Sequence, residues 1–119
     1  MPIESNTNLG TINISNEAIA ILTGGVVAEC YGVVGMASQK VLKDGISVLL
    51  KKENYSKGIV VTKRDDNLEL DLYLIISYGV KISEVVAEVQ KKVKYELKQA
   101  LDQDFNAINV YVQGVKVMD

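Results

Sequence analysis

Apolar and polar residues alternate along this chain in a way that separates short strands from helices. Leu9-Gly10-Thr11-Ile12-Asn13-Ile14 sets apolar residues against small or polar ones, the period of a half-buried strand. Ser15 follows as a helix N-cap, with Glu17 near the positive end of the helix and Ile14 and Ile19 at staple spacing. Ile19, Leu22, Val26 and Cys30 then recur at i, i+3, i+7 and i+11, one face of a helix. Gly24-Gly25 interrupts that helix and costs on the order of 2 kcal/mol relative to alanines. The pair suits another element packed on bare backbone, a ligand approaching it, or a break in the helix.

Tyr31 to Ala37 reads as a turn into a short strand. Residues 38–52 read as a second helix, with Val41, Leu42, Ile46, Leu49 and Leu50 inward and Gly45 weakening it. Ile59-Val60-Val61-Thr62 is β-branched throughout, Asp65-Asp66-Asn67 makes a turn, and leucine or isoleucine fills every even position from Leu68 to Ile76. That pattern is a hairpin with one buried and one partly wet face. Ser83 is expected to cap the longest helix, whose inner face is Val85, Val86, Val89, Val93, Leu97 and Leu101 and whose outside offers a Glu88–Lys92 pair. Ile108, Val110 and Val112 alternate with Asn109, Tyr111 and Gln113 in a last strand.

The resulting order, β-α-β-α-β-β-α-β, predicts a single small α+β domain, a mixed sheet with helices packed on one face. Residues 9–119 form that domain, and the polar residues 1–8 are expected to be disordered. Nothing at the N-terminus has the basic and apolar regions of a secretory signal, and no apolar run is long enough to span a bilayer.

Composition changes this picture chiefly by what it withholds. The 119 residues include no histidine and one cysteine, which removes Ser-His and Cys-His nucleophilic catalysis and most zinc chemistry from the chain acting alone. No catalytic, cofactor-binding or metal-ligating residues are expected, and the lone cysteine suits a reducing cytoplasm. Cys30 falls on an apolar helix face near the C-terminal end, where the dipole does not favour a thiolate, and reads as a buried structural residue. Asp65-Asp66 occupies a turn, and Asp102-Gln103-Asp104 lacks the central glycine and distant glutamate of a calcium loop.

Charge is unevenly spread. The first 39 residues carry three glutamates and no base, whereas residues 40–64 carry six lysines and Arg64 against Asp44 and Glu53. Lys51, Lys52, Lys57, Lys63 and Arg64 therefore mark a candidate interaction patch for an acidic protein, a lipid surface or nucleic acid. Gly32-Val33-Val34-Gly35 has the spacing of the GxxG loop of KH RNA-binding domains, which gives a second reading: a KH-like nucleic-acid-binding module using the basic segment 40–64. In KH domains, however, that loop joins two helices and is usually basic, whereas here it is apolar and leads towards a strand.

Three stretches taken together resemble the alkaline-shock (Gls-type) family of bacterial envelope stress response proteins. They are Gly10-Thr11-Ile12-Asn13-Ile14-Ser15 with Ala18-Ile19, closing on Gly32-Val33-Val34-Gly35-Met36; Tyr78-Gly79 with Ile82, Val85-Val86, Val89-Gln90 and Val93; and Val110-x-Val112-x-Gly114-Val115. The chain is similar to a compact subfamily without long extensions. The resemblance implies a non-enzymatic cytoplasmic scaffold or interaction protein, peripheral at the inner membrane face through a small membrane-anchored partner and able to self-associate. It implies no catalytic residues. It leaves the matched glycines, Gly32, Gly35, Gly79 and Gly114, to serve backbone geometry.

Overall fold

In the computed structural model, which describes residues 3–41, 47–50, 52–65 and 67–117, an N-terminal hairpin precedes a helix-covered sheet. The hairpin is β1 (Ile3–Thr7) and β2 (Gly10–Ile14), paired antiparallel from Ile3↔Ile14 to Thr7↔Gly10. Residues 3–7, expected to be disordered, are thus a strand. Their polar composition hides two local devices: Ile3 reaches the core at 4% exposure, and Thr7 Oγ1 accepts from Leu9 N–H while donating to Gly10 O.

Helix α1 (Asn16–Ala28) starts at Ser15, whose Oγ accepts from Ala18 N–H at 3.0 Å. It runs unbroken through Gly24-Gly25. A Cβ at Gly24 would lie 3.2 Å from Tyr55 Cβ, so this glycine lets a 3-10 helix (Lys52–Gly58) pack against α1, while Gly25 faces open space. Of the three explanations for the pair, close packing holds at Gly24.

Strand β3 (Val33–Val41) begins as the expected short strand and runs on past Ala37, and its end together with β4 (Ser47–Leu50) lies in the stretch that the sequence reads as a second helix. They pair antiparallel, with Met36 opposite Leu50 and Ala37 opposite Leu49. Short apolar runs fit helix and strand alike. Here strand pairing decides: β3, held on a long neighbouring strand at Val33↔Ile76 and Met36↔Leu74, offers β4 its other edge. Leu42 and Ile46, expected on the inner face of that helix, lie outside the described residues.

The neighbour is β6 (Asn67–Ser77), the spine of the sheet. β5 (Ile59–Arg64) joins it by the expected hairpin, turning through Asp65 at φ +55°, and pairs along one edge beside β3. Helix α2 (Ile82–Leu101) then crosses over, and β7 (Ala107–Lys116) returns parallel along the other edge of β6. The sheet is mixed and the domain is α+β. Lys81, not Ser83, is the N-cap of α2 and makes no side-chain capping bond. Both Glu84 and Val85 N–H groups donate to Lys81 O, which starts the helix before the serine.

Every even residue from Leu68 to Ile76 is buried against the helices, where Ile19 and Val27 of α1 and Val85, Val89, Val93 and Leu97 of α2 meet them. Burying each of these side chains stabilises the fold by roughly 1.5–3 kcal/mol. The inner face of α1 is turned from the expected one. Ala20, Thr23 and Val27 are buried while Leu22 and Val26 are half-buried, and Thr23 satisfies its hydroxyl on Ile19 O at 2.8 Å. No described helix is long and apolar enough to cross a membrane.

Candidate interaction surfaces

The candidate basic patch is not one cluster among the described residues. Lys57 ends the 3-10 helix, whereas Lys63 and Arg64 end β5, roughly 17 Å further along an extended strand. In the β5–β6 register Lys63 pairs with Leu68 and Arg64 with Asn67, so their side chains leave on opposite faces of the sheet. Lys51 and the side chain of Lys52 lie outside the described residues. The Gly32–Gly35 segment leads from α1 into β3 and joins no second helix, unlike a KH loop.

The matched glycines meet separate backbone demands. Gly32 has φ +85°, and a Cβ there would come within 2.6 Å of Val85 Cγ2. Gly79 has φ +94° in the turn before α2. Gly35 pairs with Ile75 beside an irregularity in β3, and Gly114 does the same after one in β7. Both flanks of β6 therefore shift register close to Ile75, and a Cβ on Gly114 would stand 3.3 Å from Ile75 Cδ1. Such bulges bend and twist a strand locally.

Three surfaces remain as candidates. The first is a cleft of about 520 Å³ between the end of α1 and the start of α2, lined by Glu29, Tyr31, Lys81, Glu84, Glu88 and Lys92 with Cys30 on its floor. Burial raises the pKa of the Cys30 thiol, Lys92 opposes this, and Glu29 and Glu88 add to it. The Sγ–H donates to Val26 O at 3.4 Å, so this end of the cleft holds a neutral, bonded thiol. Among the described residues, no three metal-ligating side chains gather to hold an ion. Asp102 and Asp104 instead hold Lys98 at 3.4 Å each, closing the turn after α2.

The second surface is the face of the sheet turned away from the helices. Tyr73 and Tyr111 stack across β6 and β7 with centroids 5.0 Å apart and planes 18° from parallel. Beside them Asn109 Nδ2 donates to Asp71 Oδ1 at 2.9 Å. Burial raises the pKa of the Tyr73 hydroxyl, with the Asp71 charge and Tyr111 adding to the shift. Sequence alternation marks both tyrosines as outward on half-wet strands, but only the parallel register sets one against the other.

The third is the outer edge of β7 with the flank of α2 above it, where a groove of about 340 Å³ runs between Lys91 and Lys94 on one side and Asn106–Ile108 on the other. Gln90 Nε2 donates across it to Ile108 O at 2.8 Å. The sequence gives no sign of this contact, because Gln90 is one polar residue among many on the outside of α2.

Comparison with known proteins places these surfaces in a family. Residues 4–117 match the model of the alkaline-shock (Gls-type) family, described as having a cell envelope-related function. The chain is 49% identical over 117 residues to the uncharacterized protein YloU of Bacillus subtilis (strain 168), covering 98% of each chain. It is 46% identical over 118 residues to the uncharacterized protein Spy1614 of Streptococcus pyogenes serotype M6, covering 99% of this chain and 98% of the relative. Identity to YqhY of Bacillus subtilis, also uncharacterized, is 30% over 111 residues, covering 93% of this chain and 81% of that one. No solved structure matches.

Proposed function

The chain belongs to the alkaline-shock (Gls-type) family, whose function is cell envelope-related, and from that premise we propose that it is a non-enzymatic scaffold acting through protein–protein contacts. It works in the cytoplasm, at the inner face of the membrane, where a small membrane-anchored partner holds it and copies of the chain self-associate. Its setting is the envelope and alkaline stress response.

The observation that carries this reading is the sheet whose described helices all lie on one face. The other face keeps the stacked Tyr73 and Tyr111 half-buried and exposed respectively, beside β7, whose outer edge pairs with no described strand. Aromatic residues set in a polar rim are the side chains that anchor protein contacts. The charged side chains that line the α1–α2 cleft are exposed or half-buried, and its thiol is bonded and neutral.

The test is capture of the tagged full chain from native-type cells after gentle membrane solubilisation, with and without nuclease. A membrane protein that co-purifies and survives nuclease is the expected result. Recovery of RNA, with proteins lost on nuclease treatment, overturns it in favour of nucleic-acid binding. A turnover abolished by one point substitution overturns the non-enzymatic reading.

A further inference from the structure

We infer that the outer edge of β7 and the basic flank of α2 form a docking groove for an extended acidic segment of a partner protein, which joins the sheet as an added strand. The inference rests on the reading of this protein as a contact module and names the chemistry of one contact.

The backbone orientation of β7 follows from the bonds around β6. Leu68 N–H donates to Asn106 Oδ1 and Tyr78 N–H donates to Lys116 O, whereas Ser77 N–H donates to Gly32 O on the opposite side. Even-numbered residues of β6 therefore turn their backbone groups to β7. In the register Leu70↔Ile108 and Leu72↔Val110, the odd residues of β7 answer them. Ile108, Val110 and Val112 are left with N–H and C=O groups pointing out from the sheet.

Proteins usually blunt such an edge with charge or proline. From Asn106 to Val115 this one has neither. Tyr111, Val115 and Val117, on this strand or just past it, are 44%, 49% and 66% exposed. The protection it does have is removable. Gln90 occupies Ile108 O with a side-chain amide that can rotate away, and the register shift after Leu74 bends only the far end.

Charge selects the occupant. Lys91 and Lys94 overlook the groove, and among the described residues no carboxylate lines it and neither lysine joins an ion pair. A second copy paired antiparallel here would set two α2 flanks side by side and bring like charges together, so this edge does not suit self-association. An acidic strand is complementary. Its alternate side chains fall on opposite faces, which puts acids beneath Lys91 and Lys94 and apolar residues beside Tyr111. The recognised pattern is an acid at every second position with apolar residues between.

A phage-displayed library of random nine-residue peptides, selected on the full chain and on K91E/K94E, tests this. The expected result is enrichment of peptides alternating acidic and apolar residues, with affinity at least tenfold lower for K91E/K94E. The winning peptide, added to isotopically labelled protein, should shift the Val110 and Val112 amides and the Gln90 side-chain amide. Val112→Pro removes an outward N–H, a change tolerated on an edge, and should abolish binding in protein whose thermal unfolding remains cooperative. No enrichment, basic peptides, or peptides that keep their affinity for K91E/K94E overturn the inference. If K91E/K94E still captures the native partners of the wild-type chain, this groove is wrong while the scaffold reading stands. Absence of any partner on the wild-type chain removes the scaffold reading itself.

Discussion

Leu68 and Asn106, 38 residues apart, hold each other by two reciprocal hydrogen bonds: Leu68 N–H donates to Asn106 Oδ1 at 2.9 Å, and Asn106 N–H donates to Leu68 O at 2.8 Å. The pair stands just before Glu69↔Ala107, the first rung of the parallel β6–β7 ladder. A parallel pair has no tight turn to set its register, so this side-chain clamp supplies one end of it.

Asn106→Ala removes an acceptor from a partly buried N–H and should lower stability by about 1–2 kcal/mol. Asn106→Asp keeps the acceptor and should lose less at neutral pH. Urea unfolding of the three proteins ranks them; equal losses for both variants would show that the donated bond contributes nothing.

Gly32→Ala combines a strained φ of +85° with a Cβ placed 2.6 Å from Val85 Cγ2. A loss of roughly 1–3 kcal/mol is expected for the backbone strain, with a further loss from the clash. Val85→Ala in the same chain should recover the steric part and leave the strain. A double-mutant cycle by chemical denaturation separates the two.

Gly25→Ala should stabilise the fold more than Gly24→Ala. Both sit inside α1, where alanine gains about 1 kcal/mol over glycine. Gly25 has open space at its Cβ position and should show that gain, whereas at Gly24 the Tyr55 contact at 3.2 Å offsets it. Thermal unfolding checks the order: a Gly24→Ala melting temperature at or above that of Gly25→Ala would contradict the packing of the 3-10 helix on α1.

Cys30 ties stability to alkaline pH. Its folded-state pKa is raised above the ordinary 9.0 by burial, so the folded chain holds the thiol proton more tightly than the unfolded chain. The stability this contributes is complete below pH 9.0 and is lost as pH rises through the higher folded value. Wild type and Cys30→Ala should therefore run parallel in stability from pH 6 to 8, and the wild type should fall more steeply above pH 9.0. Parallel profiles across the alkaline range would show that the thiol is not desolvated.

The elements differ in how far the sequence reveals them, for local reasons. β6 repeats strictly with period two from Leu68 to Ile76, β5 opens on a β-branched run, β7 alternates from Ile108 to Val112, and α2 keeps one apolar stripe through Val85, Val89, Val93 and Leu97. Such periods survive any tertiary setting that offers an apolar surface. β4 and the end of β3 lack that redundancy, and their apolar residues suit a helix until the start of β3, anchored on β6, supplies an edge. At the candidate surfaces, Tyr73 and Tyr111 are visible as outward residues, while nothing local ties Gln90 to Ile108 or sets Lys94 apart.

By itself the sequence determined the α+β class, the β5–β6 hairpin, the cap at Ser15 and the core stripes of β6 and α2, because each is set by propensity and periodicity within a few residues. It also determined the family, through glycines and apolar positions in fixed order. Only the tertiary structure decided that β7 runs parallel to β6, that Tyr73 meets Tyr111, that Gly32 lies against Val85, and that Gln90 covers one carbonyl of an uncharged edge. These contacts join segments far apart in the chain. Their geometry follows from how the helices and strands share one core, which no local pattern encodes.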